Sequence, residues 1–410
     1  MTADRPFFSI VIPTRNRASL LRYALRSALA QTWQDYEILV SDNDSNDAKP
    51  AVVREVGGDR VRHVRTPAPL SMPDSWEFAL SHAEGQFVTF LCDDDAIAPE
   101  LLVTVAQVIE QCASEAITWA FAGYYHPNWD VAEQRNSATV PPVCNNVESL
   151  RSRPALCACS PKCGPSFPVP KMLQSCCSRR VLDEIREHVG RLFVPTCPDL
   201  SSPTRTLDAV PQYVHIDRIL IVSGAAMEST GARQSTKDRA NIRKFAMEFG
   251  PNGMFQEVPI QVLVGMNFVA DTLLRVKRLL GPRLQDIELN WERYAVTCFE
   301  SLSAFEKLGA DTASEMQGFH EVLGRQPIEL QRKVWRAIKK VRPAVWRQAI
   351  RATINKTSFL SELELMLRPK VRASKPRIIC GEEGGFGNIV ECGAKMTVLT
   401  SDGRRQLICA

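Results

Sequence analysis

What the chain lacks narrows its identity first. No stretch approaches 18 uninterrupted apolar residues, so no segment reads as a membrane-spanning helix. The opening residues MTADRPFFS hold no apolar signal core, which sets the expectation of a cytoplasmic protein with reduced thiols. Neither a GxGxxG nor a Walker pattern occurs, so no glycine-rich loop is offered to cradle phosphates. Charge of one sign is not in excess: a net charge of +4 over 410 residues does not suggest a nucleic-acid protein. Among the 13 cysteines, Cys157, Cys159 and Cys163 cluster, with Cys176 and Cys177 close behind, but they form no paired CxxC units for zinc. The odd total argues for free thiols over a disulfide framework. With 45% hydrophobic residues, the chain can bury a large core in two or three domains.

The most informative residues present are three consecutive carboxylates, Asp93, Asp94 and Asp95. They follow an apolar run, FVTFL at 87–91, that reads as a buried strand, and precede an expected helix over 99–112. Like charges at a strand end repel one another, and a hard divalent cation is what usually makes such a cluster favourable. Mg²⁺ or Mn²⁺ held by one or two protein carboxylates keeps positions open for substrate phosphates. The alternative is a solvated acidic turn capping the next helix.

The N-terminal segment repeats the pattern. FSIVIPT at 8–14 reads as a buried parallel strand, and Ser19 as the cap of a helix over 20–31. A second strand over 36–41 runs into Asp42, Asn43 and Asp44. Strand, helix and strand with polar residues at the strand ends describe half of a doubly wound sheet, which binds ligands in the crevice outside those ends. Thr14–Arg17, Asp42–Asp44 and Asp93–Asp95 would then share one cleft.

The segments FSIVIPTRNRASLLRYALRSALAQTWQDYEILVSDNDSND and PLSMPDSWEFALSHAEGQFVTFLCDDDAIAPELL resemble the family 2 glycosyltransferases of GT-A fold, strongly over residues 7–112 and more weakly to about Gly231. The resemblance implies an α/β fold with a doubly wound, mostly parallel, Rossmann-like sheet, and the residues beyond about 233 read as a helical C-terminal region. It implies a nucleoside-diphosphate-sugar donor, a glycan or lipid-linked acceptor and Mn²⁺ or Mg²⁺ as cofactor. It assigns Pro13, Thr14, Arg15, Asn16, Asp42 and Asn43 to the nucleoside. Aligned by Pro99, Asp94 matches the principal metal ligand, with Asp95 assisting and Asp93 beside the ribose. Departures are Cys92, where the family commonly has its leading Asp, and Asn43, where many members have Asp.

Inverting transfer also needs a base to take the acceptor hydroxyl proton. Asp199, in Val194-Pro-Thr-Cys-Pro-Asp-Leu200, stands where family members carry it, the alternative being an N-cap of the following segment. Asp74 begins a helix with Trp76, either as its N-cap or in contact with the sugar or ribose. The expected organisation is a catalytic domain over 1–232, divided near 124 into nucleotide and acceptor halves. A helical region over 233–360 and a tail over 361–410 would follow. A fifth strand is expected over 116–125, an irregular segment over 126–171, and amphipathic helices over 258–280 and 291–307. Residues 332–356 hold nine basic residues and no acid, with Val334, Ile338, Val341 and Val345 at helical spacing and Trp335 and Trp346 beside them. That composition suits either an anionic membrane surface or a helix packed on the protein with a solvated basic face. The tail carries two short apolar runs, read as a small hairpin.

Overall fold

The computed structural model describes residues 5–159, 168–229, 239–249, 254–285, 288–339 and 376–400. Its strands are β1 (Phe8–Thr14), β2 (Tyr36–Asp42), β3 (Val61–Arg65), β4 (Phe87–Phe90), β5 (Ala96–Ile97), β6 (Ala116–Tyr125), β7 (Ser137–Val140), β8 (Val147–Arg151), β9 (Ser175–Ser178), β10 (Gln212–Ala225) and β11 (Arg377–Cys380). They form one curled sheet in the order β11-β7-β6-β9-β4-β1-β2-β3, with β10 joined to β5, β6 and β8. β3, β2, β1 and β4 are mutually parallel, and β10 runs parallel to β6 along its length. β9 enters antiparallel between β4 and β6. The expected α/β architecture, with helices following the sheet toward the C-terminus, is the one observed.

Burial on both faces explains why the central strands read as unbroken apolar runs. Ile10, Ile12, Ile38 and Val40 pack into one layer with Leu21, Ala24 and Leu25 of helix Ala18–Leu29. Val11 and Leu39, between them in sequence, turn to the opposite layer with Trp76, Ala79 and Leu80 of helix Met72–His82. The strand expected over 116–125 and the helix expected over 291–307 have those bounds.

Several expectations are corrected. Ser19 lies inside its helix: the N-cap is Arg17, and the Ala18 N–H is met from outside by Asp47 Oδ2 at 2.9 Å. The segment read as irregular contains β7, β8 and helix Ser152–Cys159. These short strands lack an alternating pattern, and their pairing with β6 and β10 is what makes them strands. The helix expected from 258 begins at Gly265. Asp271 Oδ1 accepts the N–H groups of Gln256, Glu257 and Val258, while the Asn267 amide donates to Ile260 and Val262, holding that stretch in a turn. The tail is a strand and helix rather than a hairpin. β11 extends the sheet beside β7, and helix Ile389–Thr400 packs Ile389, Cys392 and Met396 against Ala96, Tyr124 and Val222. Cys112 is disulfide-bonded, against the expectation of free thiols. Cys92, Cys144, Cys157, Cys176 and Cys177 are free.

Only the first part of the basic segment is described. Residues 328–339 are helical, and Val334 and Ile338 are buried among Phe319, Leu323 and Leu302. That half of the apolar stripe is committed to the protein's own core. Lys340 to Lys356, with Val341, Val345 and Trp346, lie outside the described residues. Among the described residues no helix is long and apolar enough to cross a membrane. Ile338→Ala should cost about 2–5 kcal/mol of folding stability, whereas Lys339→Glu should change it by no more than about 0.5 kcal/mol. Urea unfolding followed by circular dichroism would compare them, and equal costs would contradict this packing.

Candidate active site

Parallel pairing brings the C-terminal ends of β1, β2 and β4 to one edge, with Thr14 opposite Asp42 and Val11 opposite Phe90. The acid triplet follows β4 directly. Its three residues are 2%, 7% and 2% exposed, so a solvated acidic turn is ruled out. They do not cap the next helix either, which starts at Leu101 with Glu100 as its N-cap.

The three carboxyl groups have three different fates. Asp93 Oδ2 accepts from Thr14 Oγ1 at 2.5 Å, and its Oδ1 accepts from Arg17 Nη1 at 2.9 Å. Asp95 Oδ1 accepts the Gly224 N–H at 2.8 Å, and the Ser223 hydroxyl supports the same carboxylate from the end of β10. Asp94 accepts from the Ser229 hydroxyl through Oδ2, with Arg17 Nη1 3.9 Å from that oxygen. Its Oδ1 makes no hydrogen bond among the described residues. Burial pushes the Asp94 carboxyl up; Arg17 opposes the shift and Asp93 adds to it. Burial, then Asp94, drive Asp95 well above the ordinary carboxylate range.

The loop holding these acids is locked from behind. His126 Nε2 lies 3.0 Å from the Asp94 carbonyl oxygen. At Gly224, a Cβ would stand 1.8 Å from that same oxygen, so no other residue fits without moving the acids.

Two cations answer the triplet from the β1 side. Arg17 has a side chain only 19% exposed. Burial works against its charge, but Asp93 and Asp94 more than offset this and raise its pKa. Lys49 is fully buried and donates to Thr14 Oγ1 at 3.1 Å, with Asp47 3.6 Å away. Burial lowers the Lys49 ammonium pKa.

The other expected nucleoside-binding residues are partly committed to the fold. Asp42 is fully buried, accepts the Ser45 N–H at 3.0 Å and faces Arg65 at 3.6 Å and His63 at 3.8 Å. Burial pushes its carboxyl up, but the pull of His63, Ser45 and Lys49 wins and brings it down to about 2. Asn43 spends its amide on the Leu70 carbonyl at 2.9 Å and its Oδ1 on the Leu70 N–H at 2.8 Å, fastening the segment before helix Met72–His82. Pro13 pairs with Ser41 inside the sheet. Arg15 reaches Glu248 at 3.0 Å, and Asn16, with φ of 53°, accepts the Asn46 N–H. The N-cap of helix Met72–His82 is Ser71, while Asp74 pairs with Arg191 at 2.7 Å. Trp76 stacks on Phe90 in the core.

Asp199 is the second residue of helix Pro198–Ala209, whose N-cap is Cys197, so it is not the cap. Burial raises its carboxyl, with Lys171 opposing. A carboxylate shifted toward neutrality is better matched to taking a proton from a hydroxyl. No hydrogen bond or ion pair joins Asp199 to the triplet among the described residues.

Among the described residues no group of three or more His, Cys, Asp or Glu side chains is arranged to hold a metal unaided. What is present fits a hard cation that takes one or two protein oxygens and completes its shell from phosphate and water. Asp94 offers a free oxygen in a desolvated, like-charged setting, and Asp95 stands next to it. The residues that motif reading left without a role are Arg17, Lys49, Gly224 and Ser229. Arg17 alone carried a signal, as the last residue of a strand-end loop.

Residues 9–160 match the model of glycosyl transferase family 2. A Campylobacter jejuni GalNAc(5)-diNAcBac-PP-undecaprenol beta-1,3-glucosyltransferase is 36% identical over 105 residues, which is 25% of this chain and 34% of that protein. An Escherichia coli UDP-Glc:alpha-D-GlcNAc-diphosphoundecaprenol beta-1,3-glucosyltransferase is 29% identical over 108 residues, 26% of this chain and 43% of that one. The matches thus span well under half of either relative. Among solved structures, S. aureus TarS 1-349 in complex with UDP-GlcNAc aligns over 77% of this chain and 90% of its own, at 16% identity and a TM-score of 0.43, too low to bear on function.

Two outcomes test this geometry. Gly224→Ala should cost about 1–3 kcal/mol through overpacking against the Asp94 carbonyl. Thermal melts read that cost, and a variant indistinguishable from wild type would refute the locked loop. Asp42 holds a depressed pKa, so its contribution to stability is present above about pH 4 and fades as pH falls toward 2. The stability difference between wild type and Asp42→Asn, on the order of 2 kcal/mol near neutrality, should shrink across that window in denaturant titrations.

Proposed function

We propose that the protein is an inverting, metal-dependent glycosyltransferase that moves a hexosyl group from a nucleoside-diphosphate sugar to a hydroxyl of a lipid-linked glycan. The observation that carries this reading is Asp94: a buried carboxylate with one uncommitted oxygen, set between Asp93 and Asp95 where β1, β2 and β4 end. The acceptor class draws support from the two relatives above, whose names both specify an undecaprenol diphosphate acceptor.

In this mechanism Asp94, aided by Asp95, would hold Mn²⁺ or Mg²⁺, which would supply positive charge to the leaving diphosphate. Asp93 and Thr14 fix the wall of the cleft on which the ribose would lie. Asp42 stays ionised at any physiological pH and can accept hydrogen bonds from the nucleoside. Asp199 takes the proton from the acceptor hydroxyl as the new glycosidic bond forms on the face opposite the leaving group. The desolvated surroundings strengthen each of these interactions.

Asp94→Ala should abolish transfer and Mn²⁺-dependent nucleotide binding while the protein stays folded. Asp199→Asn should lower the rate by about 10²–10⁴ with donor affinity little changed. Transfer and hydrolysis of UDP-, GDP- and dTDP-sugars, with and without Mn²⁺, together with calorimetry of nucleotide binding, make the measurements. Wild-type turnover in Asp94→Ala would exclude the metal site. Donor binding with no turnover on any acceptor would leave a binding module.

A lipid-linked acceptor brings the protein to a membrane surface, and the basic stretch ending at Lys356 is the candidate contact. Lys339→Glu with Lys340→Glu should release the protein from anionic vesicles, as should raised salt, which screens such attraction within about 8 Å under physiological conditions. Vesicle cosedimentation unaffected by either change would remove this contact from the proposal.

A further inference from the structure

Helix Pro198–Ala209, which carries Asp199, is buried on nearly every side. Midway along it Arg205 is 1% exposed, and its Nε, Nη1 and Nη2 have no hydrogen-bond partner. Ser202 adjoins both Arg205 and Thr206 on the helix surface, at spacings of three and four residues. The hydroxyls of Ser202 and Thr206 are fully buried and unbonded as well. One face of the helix therefore carries five guanidinium N–H donors and two hydroxyls with no acceptor. Buried polar groups are nearly always satisfied, so such a cluster calls for a ligand.

The surrounding charges narrow what that ligand is. Glu77 accepts from Arg186 Nε at 3.0 Å through one oxygen, and from the Leu192 and Phe193 N–H groups at 3.0 Å through the other. Asp74 accepts from Arg191 at 2.7 Å and from Ser71 Oγ at 2.6 Å, again one contact to each oxygen. Arg186 and Arg191 thus each have an acid, and Arg205 is a third arginine beside two committed carboxylates. Burial brings the Arg205 pKa down to about 10, with Glu77 opposing and Arg191 adding to the shift, so it stays charged at neutral pH.

We propose that the face formed by Ser202, Arg205 and Thr206 holds a buried monovalent anion of chloride size, bound by the guanidinium and the two hydroxyls. The charge is set by the one surplus arginine, which a single negative charge balances. The size is set by enclosure: the three guanidinium nitrogens and both hydroxyl oxygens are closed off from solvent. A phosphate carried on a nucleotide or a lipid cannot reach donors so enclosed, whereas a monatomic ion can be trapped as the helix packs. Water would satisfy the N–H groups but not the charge, and an uncompensated buried cation is more costly than an unmade hydrogen bond. The ion would turn the middle of helix Pro198–Ala209 into a neutral, fully bonded unit beneath the turn that presents Asp199. Nothing in this inference depends on the metal or on sugar transfer.

Thermal melts of the full chain at constant ionic strength, with sodium gluconate replaced stepwise by sodium chloride, read the site directly. Wild type should gain about 2–4 °C in Tm along a saturating curve, and bromide should act like chloride. Arg205→Met keeps the bulk and removes the charge, so it should show no saturating gain; the difference between the two proteins cancels general salt effects. Ser202→Ala with Thr206→Ala should keep the gain but move its midpoint to about tenfold higher chloride. Crystals of the unmodified protein soaked in bromide should give an anomalous peak beside the Arg205 guanidinium, a result that stands even if Arg205→Met fails to fold. Wild-type melting indifferent to chloride, a gain that persists in Arg205→Met, or bromide absent from Arg205 would each overturn the proposal. Turnover enters none of these measurements, so failure of the transferase reading would leave their outcome untouched.

Discussion

Burying Asp93, Asp94 and Asp95 side by side imposes the constraint that the surrounding structure answers. Each ionised carboxylate taken out of water costs several kcal/mol unless it is paired or hydrogen-bonded. The fold meets that cost from three directions. Thr14 and Arg17 reach in from the end of β1, Gly224 and Ser223 from the end of β10, and Ser229 from the segment after β10. These contacts tie together strands that are far apart in sequence. They also explain why β10 carries a glycine, Gly224, at the point where it passes the acid loop. What they do not supply is full compensation at Asp94, whose Oδ1 accepts no hydrogen bond among the described residues.

Much of this was legible in the sequence, and the reasons differ by element. The central strands announce themselves because both faces are buried, which leaves uninterrupted apolar runs such as Ile10–Ile12 and Ile38–Val40. Helix Trp291–Lys307 shows its apolar stripe in the spacing alone. β7, β8 and β11 have no such signature, because strands of four or five residues take their conformation from the strands beside them. The start of helix Gly265–Leu280 is hidden for another reason: Asp271 and Asn267 capture the preceding backbone through side-chain hydrogen bonds that no periodicity reveals.

The candidate site divides in the same way. A family motif singles out Asp94 and Asp199 as candidates, whereas their environments depend on distant groups. That Asp93 and Asp95 are held by different strands follows from the partners they meet, Thr14 and Gly224, 79 and 129 residues away. Asn43 shows the reverse: a residue assigned to the nucleoside by position spends its amide group on a neighbouring loop. Sequence identifies which residues reach the cleft, and the hydrogen-bond inventory decides which retain an open valence.

The helix Ile389–Thr400 has a temporal implication. It lies against β5, which directly follows the acid triplet, and against helix Ala18–Leu29 near the other end of the chain. Elements about as distant as the sequence permits therefore meet behind the acid loop. During synthesis the first strands can pair long before this helix leaves the ribosome, yet the layer over Ala96, Tyr124 and Val222 stays open until it does. Closing so long a loop is entropically slow, so a nascent chain would pass through an interval with its sheet assembled and the rear of its acid loop uncovered. A chain cut short before residue 389 would remain in that state.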